Sequence, residues 1–118
     1  MSYDIKGKRV YLSGPMSGIP DYNAPAFAEA AQACLDAGAE MVFNPATAWG
    51  HANRAPHWYM REDLHRLTIS DTTGERALFD VIVMLPGWYS SEGATLENLV
   101  ARACGIALVN LQEVGRDE

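Results

Sequence analysis

The sequence predicts an α/β protein: a small Rossmann-like or flavodoxin-like three-layer sandwich around a parallel sheet of four to five strands. Three observations lead there. Short apolar runs ending at Gly or Pro alternate with amphipathic stretches of helical period, the pattern of βαβ units. The run Val81-Ile82-Val83-Met84-Leu85 is continuously apolar, as expected for a parallel strand covered on both faces. At 118 residues the chain suits one such layer. It is too short for a full (β/α)8 barrel or a two-domain dehydrogenase.

The elements follow in order. Arg9-Val10-Tyr11-Leu12-Ser13 reads as a short buried strand that stops at Gly14-Pro15. A loop rich in Gly, Pro and Ser runs to Asn23. Pro25 to Ala37 reads as a helix, with proline in the first turn, where its missing N–H costs nothing. Phe27, Ala31, Cys34 and Leu35 share one face by helical spacing, and Gly38 is the stop. Glu40 to Phe43 is a second strand, ended by Asn44-Pro45. Residues 45–56 read as irregular, and Pro56 to Leu67 as a second helix. Ile69 to Arg76 read as a surface excursion. After the strand at Val81 to Leu85, Pro86-Gly87-Trp88 ends the run and Tyr89 to Gly93 form a loop. Thr95 to Cys104 is a third helix with Leu96, Leu99, Val100 and Ala103 towards the core, stopped by Gly105. Ile106 to Val109 is the last strand, and the tail from Gln112 to Glu118 is polar and expected to fray. Right-handed crossovers then give a single layer.

Hydrophobic residues make up 48% of the chain and charged residues 20%, enough apolar content for a core. Nine Lys and Arg stand against 15 Asp and Glu, a net charge of −6. That balance argues against a nucleic-acid polymer as partner. A small anion is still compatible, because a local pocket can be cationic on a negative surface. Cys34 and Cys104 sit in apolar helical patterns with no CxxC pair, so both are expected as core residues in a reducing compartment. No apolar run approaches the ~20 residues of a membrane span. Met1-Ser2-Tyr3-Asp4 lacks a signal peptide's apolar stretch. The expectation is a cytoplasmic protein with no membrane partner.

Ligands of open α/β sheets bind at the carboxyl ends of the strands. Gly14-Pro15-Met16-Ser17-Gly18 after the first strand can turn backbone N–H groups towards an anion, or form a plain turn. It is neither a Walker A loop nor a dinucleotide fingerprint. Ser90-Ser91-Glu92-Gly93-Ala94-Thr95-Leu96-Glu97 offers hydroxyls and a glycine before a helix start, a plausible phosphate site. By this reading Glu97 falls in the first helical turn, where the macrodipole favours its ionised form. A solvated capping residue is the commoner reason for a glutamate at such a position. Asp63, in Arg61-Glu62-Asp63-Leu64-His65-Arg66, is a second carboxylate or part of a charged surface. His51, His57 and His65 fall in one stretch, but their offsets match no standard ligand spacing, so no metal is expected. Trp49, Trp58 and Trp88 can stack on a base; Trp88 follows a strand end and is the best placed.

Taken together these residues resemble a family. Tyr11-Leu12-Ser13-Gly14-Pro15-Met16-Ser17-Gly18, Asn44-Pro45, Arg61-Glu62-Asp63-Leu64, Leu85-Pro86-Gly87-Trp88 and Ser91-x-Gly93-x3-Glu97 occur in that order. The ordered set looks like the nucleoside 2-deoxyribosyltransferase-like superfamily, in its small bacterial and phage branch. The resemblance covers residues 9–110 and implies one domain over residues 1–118. It implies cleavage of an N-glycosidic bond. Glu97 matches the glutamate that attacks C1′, Asp63 the aspartate that assists the departing base, and Tyr11 the tyrosine that orients the nucleophile. Ser91 resembles the serine of nucleoside 5′-monophosphate N-glycosidases, where transferases on free nucleosides tend to have aspartate. A hydroxyl donates to a phosphate that a carboxylate would repel. Gly14, Ser17, Gly18, Ser91 and Gly93 are then expected around the phosphate, helped by Arg54 or Arg61, with Trp88 against the base or pocket wall. No cofactor is implied, and relatives suggest a homo-oligomer. The alternatives are a deoxyribosyltransferase acting on free nucleosides and a non-catalytic nucleotide-binding module. Two departures stand out: Pro15-Met16 where the monophosphate hydrolases are more polar, and an Asp63-to-Asp80 spacing lengthened by Ile69 to Arg76.

Overall fold

Alternation along the first strand decides the architecture. In β1 (Arg9–Ser13), Val10 and Leu12 point one way and Tyr11 and Ser13 the other, and all four are buried. Both faces of the sheet therefore need a cover. In the computed structural model, which describes residues 3–48 and 54–115, helices supply it on each side. The further elements are α1 (Ala24–Asp36), β2 (Met41–Phe43), α2 (Pro45–Ala48), α3 (Pro56–Thr68), β3 (Val81–Met84), α4 (Glu92–Ala103) and β4 (Ala107–Asn110). Three short 3-10 turns lie at Pro20–Asn23, Trp88–Ser90 and Leu111–Glu113.

The sheet has four strands in the order β2-β1-β3-β4, all parallel. Tyr11 stands level with Phe43 on one side and Ile82 on the other. The chain first adds a strand on one side of β1, then crosses back to the other. That reversal puts the switch point between β1 and β3, where the strand ends splay apart.

The core divides by sheet face. On one face Val10, Leu12, Val81, Val83, Leu85 and Val109 pack with Phe27, Ala30 and Cys34 of α1. On the other, Tyr11, Ile82 and Met84 pack with Leu67 of α3 and Ala94 and Ala101 of α4. The result is the three-layer α/β/α sandwich of a small Rossmann-like fold.

Several local expectations are corrected. Ser91 caps α4, its Oγ accepting the Ala94 N–H at 3.2 Å, so the helix starts at Glu92 rather than Thr95. Its core face is Ala94, Glu97, Asn98 and Ala101, while Leu96 and Leu99 are exposed. Small residues let this helix approach the sheet closely, and the leucines are left outside. In α1, Leu35 is exposed and Ala30 takes the inward position. Cys104 is exposed at the α4 C-cap. Cys34 is buried, and burial pushes its thiol up to about 11. Residues 45–48 form the helical turn α2 rather than irregular chain. The tail is anchored as far as residue 115: Val114 is buried and bridges to Tyr3, and the Tyr3 N–H donates to the Glu113 carbonyl.

Candidate functional site

Tyr11 and Ser13 are two residues apart on β1, so both side chains rise on the face covered by α3 and α4. Glu97 lies on the buried stripe of α4, three residues after Ala94 and four before Ala101, and reaches down to meet them. Tyr11 Oη donates to Glu97 Oε2 at 2.5 Å. Ser13 Oγ donates to Glu97 Oε1 at 2.7 Å. The carboxylate is thus gripped at both oxygens, and Glu97 is only 7% exposed. Among the described residues no cation pairs with it. Burial pushes the Glu97 carboxyl up to about 7; the hydroxyl donors pull against burial, and the Asp63 charge adds to it. The Tyr11 phenol is held well above its usual range by burial, with the Glu97 and Asp63 charges acting the same way.

Glu97 thus lies in the second turn of α4 rather than the first. The first-turn macrodipole argument falls away, and so does the solvated-cap explanation. What governs this carboxylate is desolvation against two short hydrogen bonds.

Asp63 is half-buried on α3, and its charge acts on both Glu97 and Tyr11. The structure therefore brings together Glu97, Tyr11 and Asp63, from three separate elements. Behind them stands an aromatic wall. Phe43 stacks on Tyr11 at 5.0 Å between centroids, and Phe79 meets Tyr11 edge-on at 5.5 Å. The Arg66 guanidinium lies 4.9 Å from the Phe43 ring, in a cation–π contact.

The loops at the strand ends lie side by side. The Leu85 N–H donates to the Ser13 carbonyl at 2.8 Å, and a Cβ on Gly87 would come within 3.8 Å of Pro15 Cγ. Gly14 has a packing reason: a Cβ there would sit 2.7 Å from Leu85 Cβ. Ser17 and Gly18 are exposed at the loop tip, with Gly18 at φ +78. Asn23 Nδ2 pins the loop by donating to the Pro15 carbonyl at 2.9 Å. That asparagine closes a run of three left-handed residues, Asp21, Tyr22 and Asn23. Ser91 and Gly93 stand at the start of α4, where Gly93 leaves room for Met60 of α3. Trp88 packs on the Tyr11 side of the sheet, and its Nε1–H donates to Asn110 Oδ1 at 3.1 Å.

Other candidates fall elsewhere. Arg54 is exposed, its guanidinium 5.5 Å from the Trp58 ring, and Arg61, His57 and His65 are exposed on α3. His51 and Trp49 lie outside the described residues. Among the described residues no group of three or more His, Cys, Asp or Glu could hold a metal ion. The excursion after α3 attaches at the amino end of β1. Arg9, at the start of β1, binds Asp80 through backbone and side chain and reaches Asp71 at 3.7 Å. Sequence reasoning placed Ser13 only in the strand-end segment and Arg66 only in a charged stretch, and did not single out Phe43. Ser13 had a readable signal, sharing strand parity with Tyr11; the other two depend on tertiary packing.

Fold and site together define a small parallel α/β protein with a buried carboxylate at its switch point, held by hydroxyls from the central strand. Residues 8–110 match the family described as Domain of unknown function (DUF4406), and the chain belongs to that family. No curated protein and no solved structure matches it. Among the described residues no helix is long and apolar enough to cross a membrane.

Proposed function

We propose that the protein cleaves the N-glycosidic bond of a nucleoside or deoxynucleoside 5′-monophosphate. The supporting observation is Glu97: a buried carboxylate oriented by two hydroxyl donors, without a cation, beside a second carboxylate. A buried carboxylate without a cation is costly to keep ionised, and such perturbed groups cluster at functional sites. A carboxylate kept for attack must be oriented yet not neutralised.

In the proposed reaction a Glu97 oxygen attacks C1′ as the C1′–N bond breaks through an oxocarbenium-like transition state. The bond's electron pair leaves with the base, which takes up its proton from water, and Asp63 assists by holding the departing base through a hydrogen bond. Water then attacks C1′, releases the sugar phosphate and restores the carboxylate. Tyr11 orients the nucleophile, and Trp88 forms part of the wall against the base. Ser91 accepts the Ala94 N–H, which leaves its own hydroxyl hydrogen to donate to phosphate. Gly14, Ser17, Gly18 and Gly93 line that end, although Pro15 has no N–H to offer. The reading includes a cytoplasmic location and a homo-oligomer, and calls for no cofactor.

The test is incubation with a panel of nucleoside 5′-monophosphates and nucleosides, following free base by chromatography. Release from monophosphates that Glu97→Gln lowers by at least about a thousandfold supports the reading. No release by folded protein would sink it. Exchange of one base for another from free nucleosides would point instead to a transferase.

A further inference from the structure

The loop between β1 and α1 ends in the left-handed run Asp21-Tyr22-Asn23, at φ 55°, 50° and 65°. Left-handed backbone is costly for residues other than glycine, and asparagine bears it better than most. Strain of this kind persists where the surroundings impose it, and it clusters at ligand sites. Here the run carries the Asn23 carboxamide back over the loop, onto the Pro15 carbonyl at 2.9 Å.

That bond fixes a peptide plane. The peptide is trans, so the Pro15 carbonyl and the Met16 N–H point in opposite directions. With the carbonyl held by Asn23, the Met16 N–H faces away from Asn23 and the start of α1. The next carbonyl, of Met16, accepts the Ile19 N–H at 3.3 Å, which turns the Ser17 N–H outward in the same way. Among the described residues neither N–H has an acceptor. Successive N–H groups with their carbonyls turned back make a concavity suited to an anion. Pro15 lies against Gly87, so the pair stands beside the loop that leads to Ser91.

We propose that Asn23 is a positioning residue for phosphate: by holding the Pro15 carbonyl it aims the Met16 and Ser17 N–H groups at the substrate's 5′-phosphate. The inference rests on the monophosphate reading, and it supplies backbone donors at the point where Pro15 offers none. Asn23 acts through the loop and does not itself touch the ligand.

An amide-resolved NMR titration with 2-deoxyribose 5-phosphate and ribose 5-phosphate tests it without any turnover. In wild type the Met16 amide proton is expected to move downfield as sugar phosphate is added, and to stay in place with unphosphorylated 2-deoxyribose. Asn23→Gly keeps the left-handed backbone at no steric cost and removes the carboxamide. It should bind the sugar phosphates about tenfold more weakly, with a melting curve that shows it folded. In cleavage assays the same variant should raise KM for monophosphates about tenfold, leave kcat in place, and leave KM for nucleosides unchanged. Sugar-phosphate binding that does not move the Met16 amide overturns the proposal, whatever the variant does. So does an Asn23→Gly protein that binds as tightly as wild type; in both cases the monophosphate reading stands. A wild type that binds neither sugar phosphate overturns that reading and the proposal with it.

Discussion

At the scale of single residues, the Glu97 carboxyl makes its own contribution to how the protein responds to pH. Folding raises it from 4.5 to about 7. The folded state therefore binds this proton more tightly than the unfolded chain. Its contribution is fully present below pH 4.5 and is lost as pH rises through 7. The shift corresponds to about 3 kcal/mol between the two limits. Glu97→Gln removes the titration. Relative to wild type, the variant should gain stability as pH rises from 4.5 to 7, and melt at higher temperature at pH 8, as read by calorimetry. The proposed catalysis has the opposite sign. The proposed nucleophile is the ionised form, so cleavage of a monophosphate is expected to rise with pH and level off above about 7. Ser13→Ala removes one donor to the charged carboxylate, so the midpoint of that profile should move up. Carboxyl NMR of Glu97 would read the same shift without any turnover.

At the scale of elements, two glycines behave differently. Gly14→Ala places a methyl 2.7 Å from Leu85 Cβ, an atom fixed to the backbone. It should cost about 1–3 kcal/mol by chemical denaturation. Gly93→Ala meets the flexible end of Met60 at 3.3 Å, with Ser91 Oγ at an ordinary 4.0 Å, and should change stability by less than about 1 kcal/mol. The same scale shows what could be read without coordinates. β1, β3 and β4 were legible to within a residue, because apolar runs bounded by Gly and Pro have few other uses. The inward face of α4 was not. Counting apolar residues selects Leu96 and Leu99, whereas the sheet accepts two alanines, an asparagine and a glutamate. Glu97 could be singled out only through an ordered set of motifs. Its burial and hydroxyl grip depend on β1 and α4 meeting in space, which no local pattern encodes.

At the scale of the whole molecule, the chain ends are tied to each other. Ile5 is fully buried and Val114 7% exposed, both in the α1-side core, and the Gly115 N–H donates to the Tyr3 carbonyl at 2.6 Å. A tail read as polar and frayed proves partly structural because one valine in it reaches the core. Val114→Asp would put a charge there, and should lower stability by roughly 2–4 kcal/mol in urea titration.

The turn after α3 has a wider consequence. It is closed by the Ser70–Ala77 bridge, braced by Thr73 on Asp71, and clamped through Arg9 to the amino edge of the sheet. Residues 72–76 are all exposed, and a Cβ added at Gly74 would meet nothing within 4 Å. The sandwich therefore has two poles: one where side chains converge, and one where the polypeptide has room to lengthen. Extra sequence grafted at Gly74, such as an epitope or a fluorescent probe, would sit at the amino edge of the sheet and leave the carboxyl ends of its strands untouched.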